Sequence, residues 1–242
     1  SSSPDLKKHF SLYADYLFYK NYLKKNSKIL DVGSNDGLFL DFLKKKGADT
    51  FGVDPAKKVA EISAKKGHKI FCEYLNRNLV EKIKNLKISP IDVITANNVF
   101  SHSDNLQSVL ECISNLLSTD GVYVFEVSYL LDTLENRVID YIYHEHLSYH
   151  SVKSLVPFLR SKKLYIYEVV KISTKGGSIR VVCGKNSKKE NISLINLMIA
   201  EEKSAKIFSE NTYDTIKSEI STSKKIISDW IENKKIDKKN LK

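Results

Sequence analysis

The sequence predicts an α/β protein: one mostly parallel sheet, helices on both faces, closed by an antiparallel strand pair. Three observations predict it. Short apolar runs alternate with helix-period segments from residue 28 to residue 127, the pattern of strand–helix–strand units. A glycine-rich turn joins the first apolar run to its helix. The last two runs, residues 164–171 and 178–183, are separated by only the six residues 172–177, which include Gly176-Gly177. A parallel crossover needs a dozen or more residues, so this final pair is antiparallel.

The elements follow in order. Ser3 and Pro4 read as a helix N-cap and first helical position. Leu6, Phe10, Tyr13 and Leu17 then recur at helical spacing in a leading helix within the first 25 residues. Residues 28–32 read as the first strand and 38–43 as its helix. Residues 50–53 form the second strand, 55 to about 66 the next helix and 69–72 the third strand. Residues 79–86 are helical and 91–96 make the fourth strand. Leu106, Val109, Leu110, Ile113 and Leu117 form a helical stripe, Ser118-Thr119-Asp120-Gly121 a turn, and residues 122–127 the fifth strand. A helix over 151–162 precedes the final strand pair. From Ser187 the composition shifts to Lys, Glu, Ser and Ile, with Tyr213, Ile216, Ile220, Ile227 and Trp230 at helical spacing. The expected division is a main domain over 1–186 and a helical extension over 187–242 that ends in a lysine-rich run, 233–242.

Composition narrows the function. Hydrophobic residues make up 42% of the 242, enough for a sizeable core. No run of 18 apolar residues is present and the N-terminus lacks a signal-peptide pattern, so the expectation is a cytoplasmic protein without a membrane partner. The net charge is +10, yet only four of the 39 basic residues are Arg: Arg77, Arg137, Arg160 and Arg180. Arg is the residue that reads bases and forks onto phosphates, and the lysines are scattered. No nucleic-acid partner is therefore expected. Cys72, Cys112 and Cys183 are far apart and odd in number, without CxxC spacing, and are expected to be buried thiols in a reducing compartment.

The first candidate site is the stretch Ile29-Leu30-Asp31-Val32-Gly33-Ser34-Asn35-Asp36-Gly37. In open α/β sheets ligands sit at the carboxyl ends of the strands, where this loop lies. Gly33 and Gly37 remove side chains where a ligand would approach the backbone, and Ser34 and Asn35 offer polar groups between them. Asp31 would repel a pyrophosphate but suits a cation such as the ammonium or sulfonium of S-adenosylmethionine (SAM). The glycine spacing is GxxxG, which disfavours NAD and ATP. Asp54, 23 residues after Asp31 and followed by Pro55, can accept the two ribose hydroxyls of an adenosine; the competing reading is a helix N-cap. Asn97, Asn98 and His102 follow the fourth strand and are placed along the ligand. Glu73, after the third strand, is placed near the adenine.

The second candidate site is Tyr141-Ile142-Tyr143-His144-Glu145-His146-Leu147-Ser148-Tyr149-His150, with three His, one Glu and three Tyr in ten residues. A His is the natural general base near neutral pH, a Glu can orient it, and a Tyr hydroxyl can stabilise an enolate. A metal centre on His144, His146 and His150 is the less favoured reading, since the spacing is not HExxH; no metal is expected. A purely structural cluster is the other alternative.

Together these motifs resemble the nucleotide-sugar C-methyltransferases, within the class I SAM-dependent methyltransferases. The resemblance rests on Ser1-Ser2-Ser3, Ser34-Asn35-Asp36-Gly37, Val53-Asp54-Pro55-Ala56, Glu126-Val127-Ser128-Tyr129-Leu130, Tyr143-His144-Glu145-His146-Leu147-Ser148-Tyr149 and Gly176-Gly177-Ser178-Ile179-Arg180. It covers roughly residues 1–184, and the stretch from Tyr143 to Tyr149 is its specific part. The resemblance implies a Rossmann-like class I methyltransferase sheet, SAM as cofactor, and a small-molecule substrate: a nucleotide-linked 4-keto-deoxysugar, methylated on a carbon next to its ketone. It implies His146 as the base, Glu145 as its orienting partner and Tyr143 as an aid at the enolate or cofactor. Relatives of this kind carry a Cys-rich zinc-binding segment before such a domain and a further domain after it, so the chain is expected to be the central piece. Two other readings use the same cofactor residues: a methyltransferase acting on oxygen or nitrogen, and a SAM-binding domain whose C-terminal helices engage a partner.

Overall fold

The leading helix forms where its cap predicts: Ser3 accepts the Leu6 N–H at 3.3 Å, and α1 runs Pro4–Tyr19. The computed structural model describes residues 3–138, 140 and 142–239. Ser1, Ser2 and Tyr141, each part of a motif above, lie outside them, as do residues 240–242 of the lysine-rich run. After α1 come β1 (Lys28–Val32), α2 (Leu38–Lys45), β2 (Asp49–Val53), α3 (Lys57–Lys65), β3 (Lys69–Phe71), α4 (Arg77–Asn85) and β4 (Ile91–Asn97). A short 3-10 turn at Phe100–His102 precedes α5 (Leu106–Leu116) and β5 (Leu117–Ser128). Then follow α6 (Leu130–Glu135), α7 (Val152–Arg160), β6 (Tyr165–Ile172), β7 (Ser178–Gly184), α8 (Ile192–Ser204) and α9 (Glu210–Lys239).

The seven strands form one sheet in the order β3-β2-β1-β4-β5-β7-β6. β1 through β5 are parallel, and β7 runs antiparallel to both β5 and β6. The short connection between β6 and β7 therefore makes the predicted antiparallel pair, and β7 slots between β5 and β6. Helices cover both faces. Leu30, Val32, Phe51, Val53, Ile94, Tyr123 and Phe125 point to the face packed by α4, α5 and α7. Ile29, Val93, Val122, Val124 and Val182 point to the face packed by α1 and α2. This period-2 division is what a strand buried on both sides imposes.

Three expectations are corrected. Ser118-Thr119-Asp120-Gly121 is not a free turn: it lies inside β5, where the register with β4 slips between Ile91–Leu117 and Val93–Val122. Leu117 consequently belongs to the strand, not to the end of the α5 stripe. The bulge accommodates the extra residues without breaking the pairing. Cys72 is exposed, whereas Cys112 and Cys183 are buried; Cys72 follows β3, the edge strand of the sheet. The helix α6 carries no signal noted above, since six residues are too few for a helical period to stand out.

The C-terminal helices begin packed against the core and lose that cover along α9. Ile195, Met198, Ile207 and Ile216 join the core of the α7 face. Glu202, fully buried, accepts the Tyr129 hydroxyl at 3.0 Å and the Val152 and Lys153 N–H groups at 2.5 and 3.1 Å. A carboxylate from α8 thus satisfies two free N–H groups at the start of α7 and complements its dipole. Farther along α9, Ile227 and Trp230 are exposed. Among the described residues, no helix is long and apolar enough to cross a membrane.

Candidate active site

The strand order reverses between β1 and β4, so the loops after β1, β2 and β4 diverge around a crevice at the carboxyl ends of the strands. Two adjoining recesses of about 400 and 390 Å³ occupy it and share Gly33, Asn98, Val99 and His102. One is lined by Asp54, Pro55, Glu73, Tyr74 and Leu75. The other is lined by Asp31, Ser34, Asn35, Asp36, Asn97 and residues of α1. Every residue given a cofactor role above except Gly37 lines one of them.

Local geometry explains the loop. Gly33 (φ 75°) leaves no room for a side chain: a Cβ would stand 2.5 Å from a Val99 methyl. Gly37 (φ 78°) opens α2, and its missing side chain faces Ser63 and His68 of the next unit. Gly37 therefore serves helix packing, away from the crevice. Asp54 is not an N-cap, since α3 starts later, after Ala56. Its two oxygens accept the Asn35 and Ala56 N–H groups at 2.8 and 2.9 Å. These bonds fix the carboxylate at the recess wall and leave lone pairs for further donors. Glu73 reaches the recess while paired to Lys82 at 2.9 Å.

Asp31 is the most perturbed acid of the crevice. It is 3% exposed and accepts the Thr95 hydroxyl at 2.7 Å and the Asn97 amide at 3.5 Å. Burial pushes its carboxyl up to about 7; the Thr95 hydrogen bond opposes the push, while the charges of Asp54 and Glu126 add to it. A cation beside Asp31 would relieve that cost. Among the described residues, the Ser34 Oγ and the Asn97 Oδ1 of the same recess are buried without a hydrogen-bond partner, as expected of groups that a polar ligand would satisfy.

The second cluster lies against the first. The Leu147 N–H donates to the Ser101 carbonyl at 2.7 Å, which ties the 143–147 segment to the turn that carries His102. The His146 ring, 9% exposed, lies 4.4 Å from the Tyr143 ring and 5.1 Å from the His102 ring. His102 is held below its ordinary pKa first by burial and then by the charge of His146, while a hydrogen bond to the Glu145 backbone opposes this. Tyr143, His144 and Glu145 are exposed. His150 instead faces the core, edge-on to Phe100, with its pKa lowered to about 4 by burial. The three His thus point to different surroundings, and among the described residues no group of three His, Cys, Asp or Glu is placed to hold a metal ion.

The model of the family described as "Methyltransferase domain" matches residues 8–162, well over half of the chain and spanning both clusters. The chain belongs to this methyltransferase-domain family. It is 28% identical over 205 residues to the C-methyltransferase NovU of Streptomyces niveus, covering 84% of this chain and 49% of that protein. It is 30% identical over 100 residues to the mitochondrial ubiquinone biosynthesis O-methyltransferase of Bos taurus, covering 39% of this chain and 26% of the relative. The chain thus spans half the length or less of these curated relatives. Among solved structures, the fold matches magnesium protoporphyrin IX methyltransferase (ChlM) from Synechocystis PCC 6803 with bound SAH at TM-score 0.59 and 13% identity, covering 74% of this chain and 83% of the other. The predicted class I methyltransferase sheet is thus the one observed.

In this methyltransferase-family domain a buried charge network lies beside the crevice. Glu126 of β5 accepts two bonds from its register partner Arg180 of β7, at 2.8 and 2.6 Å, and lies 2.8 Å from His9 of α1. The Arg180 guanidinium also stands 3.6 Å over the Tyr13 ring. Both residues lie inside sequence motifs quoted above, but their pairing was missed. A lone Glu and a lone Arg, each within an otherwise apolar strand, were the available signal, because buried charges occur in pairs. Thr95, the partner of Asp31, gave no such signal. The other three Arg also engage carboxylates: Arg77 with Glu111, Arg137 with Glu219 and Arg160 with Glu190.

Proposed function

We propose that the protein transfers a methyl group from SAM to a carbon next to the ketone of a nucleotide-linked 4-keto-deoxysugar. The residues around the crevice fit SAM: a buried acid and two buried polar atoms that find no cation or hydrogen-bond partner, respectively, among the described residues, and a glycine cradle that a Cβ would fill. Asp31 takes the ammonium, with Gly33, Ser34, Asn35 and Asn97 around the amino-acid end. Asp54 takes the ribose hydroxyls, with Pro55, Glu73 and Asn98 along the nucleoside. When bound, SAM supplies an electrophilic methyl group. Residues 1–186 carry this chemistry, and 187–242 form a helical extension of the catalytic domain.

The observation that carries the proposal is the contact of His146 with Tyr143 and His102, because His102 lines both recesses. A ketone α-proton is weakly acidic, so carbon methylation calls for a base and for stabilisation of the enolate oxygen. His146 removes the proton, Tyr143 donates a hydrogen bond to the enolate, and Glu145 orients the imidazole. Transfer to oxygen or nitrogen does not call for this array in the same way. The likeness to NovU, which covers 84% of this chain, supports the carbon reading.

The test is methyl transfer from SAM to a nucleotide-linked 4-keto-hexose in deuterated water, followed by mass spectrometry. The protein should exchange the α-proton and add one methyl. His146→Ala should lose about two to four decades of turnover. An O-methylated product, formed equally well by His146→Ala, would overturn the carbon reading in favour of oxygen transfer.

A further inference from the structure

Charge is unbalanced in the recess that holds Asp31. Its lining carries the carboxyl groups of Asp31 and Asp36, and Lys175 is the one Lys or Arg among its described residues. His102, the other basic side chain there, is biased toward its neutral form. Lys175 comes from the β6–β7 connection, where Lys175, Gly176 and Gly177 take φ values of 58°, 78° and 127° in succession. This left-handed run folds the hairpin tip back, with Gly176 against Val138 and Gly177 against Asp132. The fold brings Lys175 to the border between the Asp31 recess and a neighbouring one lined by His9, Glu126 and Asn98.

Lys175 has no ion-pair partner among the described residues. The nearby carboxylate of Glu126 is already engaged by Arg180 and His9. Surrounding protein lowers the Lys175 ammonium pKa, while the charge of Glu126 opposes the effect. Lys175 is exposed to solvent at this border, so the placement of its ammonium on the recess, not burial, is what an anionic ligand would use.

The amino-acid end of SAM carries its ammonium and its carboxylate on the same carbon. With the ammonium at Asp31, the carboxylate must lie in the same recess, where Asp31 and Asp36 repel it. We propose that Lys175 holds the α-carboxylate of SAM and so pairs with Asp31 to bind the zwitterionic end of the methyl donor. The inference rests on the placement of the ammonium at Asp31 given above.

Calorimetry with S-adenosylhomocysteine and its decarboxylated analogue tests it. Lys175→Ala should weaken S-adenosylhomocysteine about tenfold or more and leave the decarboxylated analogue within about twofold. Lys175→Arg should restore most of the difference. Equal weakening of both ligands would mean a structural effect and overturn the proposal. Unchanged affinity for both would also overturn it, and a raised KM for the acceptor in the same variant would assign the lysine to the acceptor. Asp31→Asn separates the two levels of the argument. Weakened binding there with no effect of Lys175→Ala removes only the lysine's role. No effect in either variant removes the placement of the amino-acid end as well.

Discussion

Asp31 carries a cost to stability that its proposed place beside the ammonium of SAM would explain. Its carboxyl is raised to about 7 in the folded chain, far above the usual range for an aspartate. The sign follows from linkage: a group whose folded pKa is raised binds its proton more tightly when folded. Its contribution is fully present below the unfolded pKa and is lost as pH rises toward the folded value. Asp31→Asn should therefore raise the melting temperature of the ligand-free protein above pH 7 and weaken SAM binding. Heat unfolding at pH 5 and pH 8, with and without SAM, checks both directions. Asp54 has a different task, since two backbone N–H groups fix its oxygens. Asp54→Ala should weaken SAM about 10- to 100-fold, as expected from losing charge-assisted hydrogen bonds, and a SAM titration reads the change. The sequence made these acids visible because each stands at the end of an apolar strand. It did not reveal that Gly37 packs against Ser63, because that neighbour belongs to another strand–helix unit.

At the scale of elements, joints between helices and strands decide the site. Glu202 joins α8 to the start of α7 and to Tyr129. Glu202→Ala removes three acceptor contacts from a fully buried position and should cost about 2–4 kcal/mol. A urea unfolding curve would read this as a lower midpoint with little change in slope. Gly177 holds the hairpin tip: its φ of 127° and the close approach of Asp132 both exclude a side chain. Gly177→Ala should destabilise by about 1–3 kcal/mol and loosen the segment that carries Lys175, so SAM affinity should fall together with the unfolding midpoint. Element positions were legible from periodicity and turn residues. The bulge at Ser118–Gly121 was not, because a polar Gly-containing tetrapeptide reads as a turn unless the neighbouring strand is known.

For the whole molecule, two buried groups tilt stability with pH in opposite directions over nearly the same range. His150, lowered to about 4, favours the fold above the ordinary imidazole pKa, and that contribution is lost as pH falls from about 6.5 to 4. Asp31 acts in the opposite direction, its contribution falling as pH rises toward 7. Between about pH 4 and 6.5 the two changes nearly cancel in the ligand-free protein. An ammonium beside Asp31 would remove the Asp31 loss, so with ligand bound stability should rise over that range. Melting temperatures across pH 4–9 with and without S-adenosylhomocysteine would test this; a ligand-induced stabilisation that does not grow from pH 4 to pH 7 would count against a cation at Asp31.

The sequence by itself determined the strand–helix alternation, the antiparallel pair, the glycine loop and the acids at the strand ends. These are local: each follows from side-chain period, turn chemistry or the length of a connection. It also singled out the His-rich segment as a candidate site. Only the tertiary structure decided that β7 lies between β5 and β6, that Glu126 and Arg180 neutralise each other, and that His146 stands against His102 while His150 faces the core. It also decided that Lys175 reaches the recess of Asp31. These facts join residues far apart in the chain. They depend on which strands pair and in what register, and no local pattern specifies that.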